Sequence, residues 1–455
     1  PLEAGGPYAL TVNGEDNTVI VNDVLAGEVW VCSGQSNMDY LLKKAMNAEK
    51  EMASANFPKL RLCAVPRRPA TTPQDDLSDR VGWIVCSPEN ARRFSAVAYF
   101  FGSELHKARQ MPVGLIKCAW GGTKAEAWTS LDALGRCYPE IERINAEWKA
   151  FARDDDAKIA AYKKELSAWR KSYKESKDKK AARRRRPRRP ETGLSRSRPS
   201  NLYNGMIAPL IPYAIRGVVW YQGEGNSPWS LRYRTTFPAL ITDWRAQWGR
   251  GDFPFLYVQL PEKGAPQQAP TERSAWAGIR EAQMFALRLP NTGMAISLLD
   301  STKDVVGIHP PDKRHIGERL CLAARAVAYG EDIVHSGPIY RDHAVEGNKV
   351  RIRFDHVGGG LRFKGGEAKG FAVAGPDREF VWAEASIDGD SVLVWSDEVA
   401  EPAAVRYGWA PHPVWSLTNE EGLPASPFRT DDWSGAVVER NDHRGVLPPG
   451  GSVAE

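Results

Sequence analysis

Apolar runs that each stop at a glycine-rich or amide-rich turn constrain this chain more than any other feature. Glu28–Cys32 leads into Ser33-Gly34-Gln35-Ser36, Val113–Trp120 into Gly121-Gly122-Thr123, and Gly217–Tyr221 into Gln222-Gly223-Glu224-Gly225-Asn226. Phe255–Leu260 and Met294–Leu299 follow the same style. Between them lie helical patterns at Tyr40–Ala55, Ala96–Ala108, Trp229–Trp248 and Lys313–Tyr329. Strands alternating with helices predict βαβ units and a parallel sheet. Ligands of such sheets bind beyond the carboxyl ends of the strands. The polar turn residues fall at those ends.

The regions outside this alternation read differently. Residues 7–24 alternate apolar and polar positions around Asn13-Gly14 and Asn22-Asp23, which predicts two short strands. Because the chain opens at Pro1, residues 1–24 are taken as the C-terminal part of a truncated N-terminal β module. The alternation occupies 25–334, interrupted by a charged helical excursion at about 140–200. There Trp148, Phe151, Ile159, Tyr162, Leu166, Trp169 and Tyr173 keep helical spacing. A basic tract follows, with eight Lys and Arg residues between Lys179 and Pro190, and it supplies much of the basic excess behind a net charge of only +5. A solvated helix and linker explains the tract. Nucleic-acid binding is disfavoured by the lack of interleaved aromatics, and attachment to anionic polysaccharide or lipid stays open. Residues 335–430 carry short strand patterns at Lys349–Phe354, Gly370–Ala374, Glu379–Ile387, Ser391–Val394 and Ala404–Trp409, as in a small β-sandwich. Residues 431–455 remain as a tail. No apolar stretch reaches the roughly 18 residues of a membrane span.

The six cysteines include no C-x-x-C pair. Cys32, Cys118 and Cys321 lie in apolar runs and read as buried thiols, leaving room for one bridge among Cys63, Cys86 and Cys137. Sixteen tryptophans fit either sugar stacking or a large core.

A serine hydroxyl becomes a nucleophile only with a base in reach, a group that orients the base, and donors for the oxyanion. Ser36 ends a strand, follows a tight turn and precedes a helical pattern, which aims its hydroxyl at exposed N–H groups. The arrangement follows the logic of a nucleophile elbow without its Gly-x-Ser-x-Gly form. An isolated serine there would read as a helix cap. Gly121-Gly122 lets backbone approach a ligand closely and offer an N–H. Gln222, Glu224 and Asn226 place two amides around a carboxylate, and Ile-His309-Pro-Pro-Asp-Lys313 precedes a helix.

These four blocks (Gly-Gln-Ser36-Asn-Met, Trp-Gly-Gly122-Thr, Trp-Tyr-Gln222-Gly-Glu224 and Ile-His309-Pro) resemble the SGNH hydrolase superfamily in its sialate O-acetylesterase branch. Leu202-Tyr-Asn204-Gly-Met, Val258-Gln259-Leu and Gly422-Leu-Pro-Ala-Ser-Pro-Phe-Arg429 are similar as well, and the arginine-rich excursion is the main unmatched part. The resemblance implies a three-layer α/β/α, flavodoxin-like core with a parallel sheet, beside a smaller C-terminal β domain. It implies removal of acetyl groups from sugar hydroxyls, with no metal and no cofactor. Carried over, Ser36 attacks the ester and His309 is the general base. Ser36, Gly122 and either Gln222 or Asn226 supply the oxyanion hole. The orienting acid is Glu224, as in related acetylxylan esterases, or Asp304. Gln35, Asn37, Asn204 and Gln259 are expected to line the substrate site. The implied partner is an acetylated sugar or oligosaccharide, with no nucleic acid, and the implied location is secreted, periplasmic or extracellular.

The alternatives are a plant-polysaccharide deacetylase of the same superfamily and a non-catalytic carbohydrate-binding protein. Gly389-Asp390-Ser391 mimics a lipase signature but reads as a hairpin turn. His315 lies six residues beyond His309, a spacing that does not make a metal pair. Trp128 and Trp220 fit sugar stacking and core packing equally.

Overall fold

A computed structural model describes residues 3–451 apart from 78, 80, 177, 272, 300–306, 441 and 444. The chain begins with a hairpin of β1 (Gly5–Asn13) and β2 (Thr18–Ala26). The apolar runs then build one seven-stranded sheet. Its members are β3 (Glu28–Gly34), β4 (Phe57–Ala64), β5 (Ile84–Cys86), β6 (Val113–Ala119), β7 (Gly217–Tyr221), β8 (Phe255–Gln259) and β9 (Thr292–Ile296). They lie in the order β5-β4-β6-β3-β7-β8-β9, with only the β4–β5 pair antiparallel. This order differs from the 2-1-3-4-5 of flavodoxin because the third parallel strand, β6, lies between the first and second. The direction of winding reverses between β3 and β7, so the ends of β6, β3 and β7 meet at the switch point.

Helices cover both faces. They are α1 (Ala48–Ala53), α2 (Pro88–Ala91), α3 (Ala96–Arg109), α4 (Leu131–Cys137), α5 (Ile141–Phe151), α6 (Asp155–Glu175), α7 (Lys179–Arg184), α8 (Ser230–Trp248), α9 (Ala275–Met284) and α10 (Arg314–Tyr329). The two-residue period of a strand separates the layers. On β8, Leu256 packs toward Ala323 of α10, while Phe255 and Tyr257 meet Phe237 of α8 on the other side. α3 lies on α10, and α9 on α8. Trp128 and Trp220, weighed above as sugar stackers, are fully buried and meet edge to face at 6.2 Å, so both belong to the core.

The helix expected over Tyr40–Ala55 does not form as one piece. The Leu42 N–H is drawn to the Phe94 carbonyl (3.0 Å) and the Met46 N–H to the Pro311 carbonyl (2.8 Å). Asn47 then takes a left-handed φ of 56° before α1 begins. These tertiary bonds override a good local pattern and tie the segment after Ser36 to the segment after His309.

The C-terminal strands are β10 (Ile339–Glu346), β11 (Lys349–Asp355), β12 (Leu361–Phe363), β13 (Phe371–Ala374), β14 (Phe380–Trp382), β15 (Glu384–Asp388), β16 (Ser391–Trp395), β17 (Ala404–Tyr407), β18 (Leu417–Asn419) and β19 (Phe428–Arg429). They form two antiparallel sheets, β10-β11-β16-β15 and β14-β13-β17-β19, plus a β12-β18 pair. Val350, Ile352, Val373, Val392, Val405 and Tyr407 fill a core between them. Glu379–Ile387, read as one strand, changes sheet at Ala383. Gly389-Asp390 is the tip of a hairpin in which Asp388 pairs with Ser391.

Residues 431–451 are more than a tail. Val446 and Leu447 are buried against Leu134, Tyr138, Ile144 and Trp148, and the Trp148 indole donates to the Val446 carbonyl at 2.7 Å. This strap holds α5, the first helix of the excursion, onto the main body. In the basic tract, Arg186 stacks on Trp169 at 5.7 Å. All six cysteines are free thiols, and burial pushes Cys63 up to about 11 and Cys86 to about 12. None of the described helices is long and apolar enough to cross a membrane.

Candidate active site

The site is built where three strand ends crowd together, and glycine makes the crowding sterically feasible. Gly34, the last residue of β3, has φ +133°, and a Cβ there would stand 2.2 Å from the Tyr221 carbonyl. The chain therefore turns sharply into Gln35, whose N–H donates to that same carbonyl at 3.0 Å. Ser36 follows, half-buried. Gly121 faces it so closely that a Cβ would lie 3.3 Å from Ser36 Cβ. Gly122, at φ +72°, is exposed beside it. Neither the Ser36 N–H nor the Gly122 N–H has a partner among the described residues. This turn region thus holds two backbone donors without partners, the kind of group that an oxyanion requires.

Beneath lies a floor of polar groups, most of them amides. Gln222 is fully buried, and its amide donates toward Gln35 Oε1 (3.2 Å), the Thr123 carbonyl (3.2 Å) and Asn226 Oδ1 (2.7 Å). Its Oε1 accepts from Tyr233 at 3.0 Å. Asn226 donates to Glu126 Oε2 at 2.9 Å and accepts the Ala125 N–H at 3.0 Å. Of the two amides expected to supply an oxyanion donor, Gln222 spends its N–H groups on acceptors inside the floor, and Asn226 gives one N–H to Glu126. Gln35 belongs to the same network, with Oε1 also taking the Gly225 N–H at 3.1 Å.

A charged hub stands on the other side of Ser36. Asn37 is fully buried; its Nδ2 donates to Glu224 Oε1 and, at 3.0 Å, to the carbonyl of Ile308, the residue before His309. Lys313 Nζ donates to Asn37 Oδ1 at 2.5 Å. Glu224 Oε2 is buried with no partner among the described residues. Burial raises the Glu224 carboxyl above its ordinary value, against the Asn37 hydrogen bond and the Lys313 charge. His309 is exposed overall, tilted beside Tyr40 with ring centroids 6.4 Å apart. Lost solvent, then Lys313 and Lys44, hold its imidazole below the usual 6.5. The neutral, proton-accepting form therefore persists to lower pH. Asp304 lies outside the described residues.

The four residues expected to line the substrate site are all buried and hydrogen-bonded within the protein. Gln35 and Asn37 are buried in the floor and the hub. Gln259 is buried at the end of β8, donating to the Arg280 carbonyl (3.2 Å) and Ser426 Oγ (2.8 Å), which ties the seven-stranded sheet to the C-terminal strands. Asn204 donates to the Ala70 carbonyl at 3.1 Å. It lines a cavity of about 700 Å³ with Thr71, Ser130 and Arg198 that includes none of Ser36, Gly122, Glu224 or His309.

Sequence reasoning overlooked the rim. The Trp120 ring carries Arg67 on one contact (5.8 Å) and Arg196 on another (5.9 Å). Arg67 pairs with Asp39, which Lys117 also approaches at 3.2 Å. Arg196 is exposed, has no carboxylate partner among the described residues, and would lie 3.5 Å from a Cβ on Gly122.

Comparison with known proteins identifies the family. Residues 26–161 and 192–326 match the family described as carbohydrate esterase, sialic acid-specific acetylesterase. The gap takes in most of α6, all of α7 and the basic tract. Sialate O-acetylesterase of Rattus norvegicus is 30% identical over 98% of this chain and 84% of its own length. That of Mus musculus is 29% identical with the same coverage. The crystal structure of a carbohydrate acetylesterase from Xanthomonas citri superposes with a TM-score of 0.76 at 38% identity, over 94% of this chain and 86% of that one. On the breadth of these matches, the chain belongs to the sialic acid-specific acetylesterase family and is a carbohydrate esterase, a carboxylic ester hydrolase.

Proposed function

We propose that this esterase works through an acetyl-enzyme on Ser36, with His309 as general base and an O-acetylated sialate as substrate. Ser36 Oγ attacks the acetyl carbonyl while His309 takes its proton. The oxyanion rests on the Ser36 and Gly122 N–H groups. The carbonyl–oxygen bond to the sugar then breaks, and His309 returns the proton to the leaving alkoxide. A water, deprotonated by His309, attacks the acetyl group next and frees acetate and Ser36.

The observation that carries this reading is the Asn37 amide. It links the residue after Ser36 to the residue before His309 and to Glu224. The two halves of a serine–histidine pair are thereby tethered at the switch point of the sheet. Glu224 is the proposed acid. Its unpartnered buried Oε2 supports that role, since such an oxygen needs a donor and an imidazolium is one. Catalytic hydrogen bonds often tighten only when substrate is bound.

Arg196 favours a sialate over a neutral acetylated glycan such as xylan. Its guanidinium stands near Gly122 with no carboxylate partner among the described residues, where a carboxylate carried by the sugar can meet it.

Acetate release from acetylated sialic acid, xylan and an aryl acetate, by wild type and Ser36→Ala, tests the proposal. Ser36→Ala should lose roughly 10³-fold or more in kcat on every ester, with sialate preferred by the wild type. A Ser36→Ala protein that keeps its activity rejects the nucleophile, and preference for xylan moves the substrate to plant polysaccharide.

A further inference from the structure

Lys313 stands immediately before α10, and no step above uses it. Its side chain is fully buried. Among the described residues the ammonium donates one hydrogen bond, to Asn37 Oδ1, and it lies 5.1 Å and 5.2 Å from the ring centroids of Tyr40 and Tyr221. A buried charge with so few partners is costly, so the fold must use its geometry.

The use follows from the chemistry of the amide between the charges. A carboxamide has an acceptor end and a donor end. An ammonium only donates, so Lys313 holds the oxygen of Asn37. The nitrogen then faces the two acceptors on the far side, Glu224 Oε1 and the Ile308 carbonyl. Reversed, the amide would set nitrogen against ammonium, and oxygen against a carboxylate and a carbonyl. We infer that Lys313 is a positioning residue for the reaction: it fixes the orientation of the Asn37 amide and, through it, the backbone that carries His309.

The charges around Lys313 fit this role. Glu224 and Asp312 favour its protonated form, burial opposes it more strongly, and its pKa comes down to about 7. Tyr40 and Tyr221 present ring faces. Toward His309 the ammonium acts as a like charge, together with Lys44 on the outside, and both lower the imidazole.

The inference rests on His309 being the base, and the test separates the two claims. Aryl acetate hydrolysis is followed from about pH 5 to about pH 9 for Ser36→Ala, Lys313→Met and Lys313→Gln. Lys313→Met should lower kcat by roughly 10²-fold with KM little changed. Lys313→Gln, which still donates to Oδ1 but carries no charge, should recover about tenfold of that loss. In both, the acid limb of kcat/KM should move to higher pH, because a cation that depresses His309 has gone. Lys313→Met with wild-type kcat and an unmoved limb, beside a dead Ser36→Ala, overturns the inference alone. An active Ser36→Ala overturns the reading beneath it. Should Lys313→Met fail to fold by circular dichroism, Lys313→Gln is combined with Asn37→Ser. Asn37→Ser should then cost less than in wild type, and fully additive losses refute the coupling.

Discussion

On the floor between β6 and β7, Gln35, Thr123, Gln222, Asn226 and Tyr233 are neutral, buried and bonded to one another at 2.7–3.2 Å. Across Ser36, the hub of Asn37, Glu224 and Lys313 is equally buried but charged and incompletely matched. Glu224 keeps an oxygen without a partner, Lys313 makes a single hydrogen bond, and the His309 ring makes none among the described residues. A satisfied polar network fixes geometry and contributes stability. Unmatched buried charges cost stability, and proteins keep them where a ligand or transition state completes them. The same residue types therefore play opposite parts a few ångströms apart, and substitution on the two sides should fail in opposite ways.

The largest effect is expected in the hub. Glu224→Gln should lower kcat by roughly 10²- to 10⁴-fold, while Asp304→Asn changes it little; the reverse ranking would make Asp304 the orienting acid. Stability should not fall with activity. Because burial raises the folded-state pKa of Glu224 above its unfolded value, ionising it opposes folding. That cost is absent below the unfolded pKa and grows as pH rises through it toward the folded value. Glu224→Gln removes the charge, so its denaturation midpoint above neutrality should equal or exceed wild type. A variant that loses activity only by unfolding would erase the contrast between hub and floor.

The contrast also explains what the sequence made legible. β3, β6, β7 and β8 were readable because each is a nearly continuous apolar run closed by glycine or an amide. β4 was missed: Pro58, Lys59 and Arg61 interrupt its apolar pattern, and its inner side is supplied by β6. α9 was missed as well, although Ser274 caps it by accepting the Ala277 N–H at 3.0 Å. The polar residues at the strand ends were found, but their division of labour was not. Gln222 and Glu224 sit two positions apart on either side of Gly223, and only their partners distinguish them. Lys313 carried a weak signal. A lysine opening a helix, where cations are disfavoured by the dipole, is a hint that something nearby requires its charge.

The floor should respond in the complementary manner. Gln222→Leu keeps the volume but strands the Tyr233 hydroxyl and leaves Gln35 Oε1 with the Gly225 N–H alone. A loss of about 1–3 kcal/mol in urea unfolding is expected, while kcat of the protein that remains folded stays within about tenfold. A collapse of kcat at unchanged stability would return Gln222 to the oxyanion hole and remove the distinction drawn here.

The smallest effect belongs to the rim, where exposure weakens every electrostatic contact. Arg67 and Arg196 share the Trp120 ring, yet Arg67 shares the Asp39 carboxylate with Lys117, whereas Arg196 has no carboxylate partner among the described residues. Of the two, Arg196 is therefore the more available to a substrate anion. An exposed ion pair contributes up to about 1 kcal/mol, so Arg196→Gln should raise KM for an acetylated sialate by about three- to fivefold and leave an uncharged aryl acetate unaffected. The difference should shrink as salt rises and the Debye length contracts to a few ångströms. Equal increases for both esters would show that Arg196 supports the rim through its stacking alone, and the preference for a carboxylated sugar would then need another source.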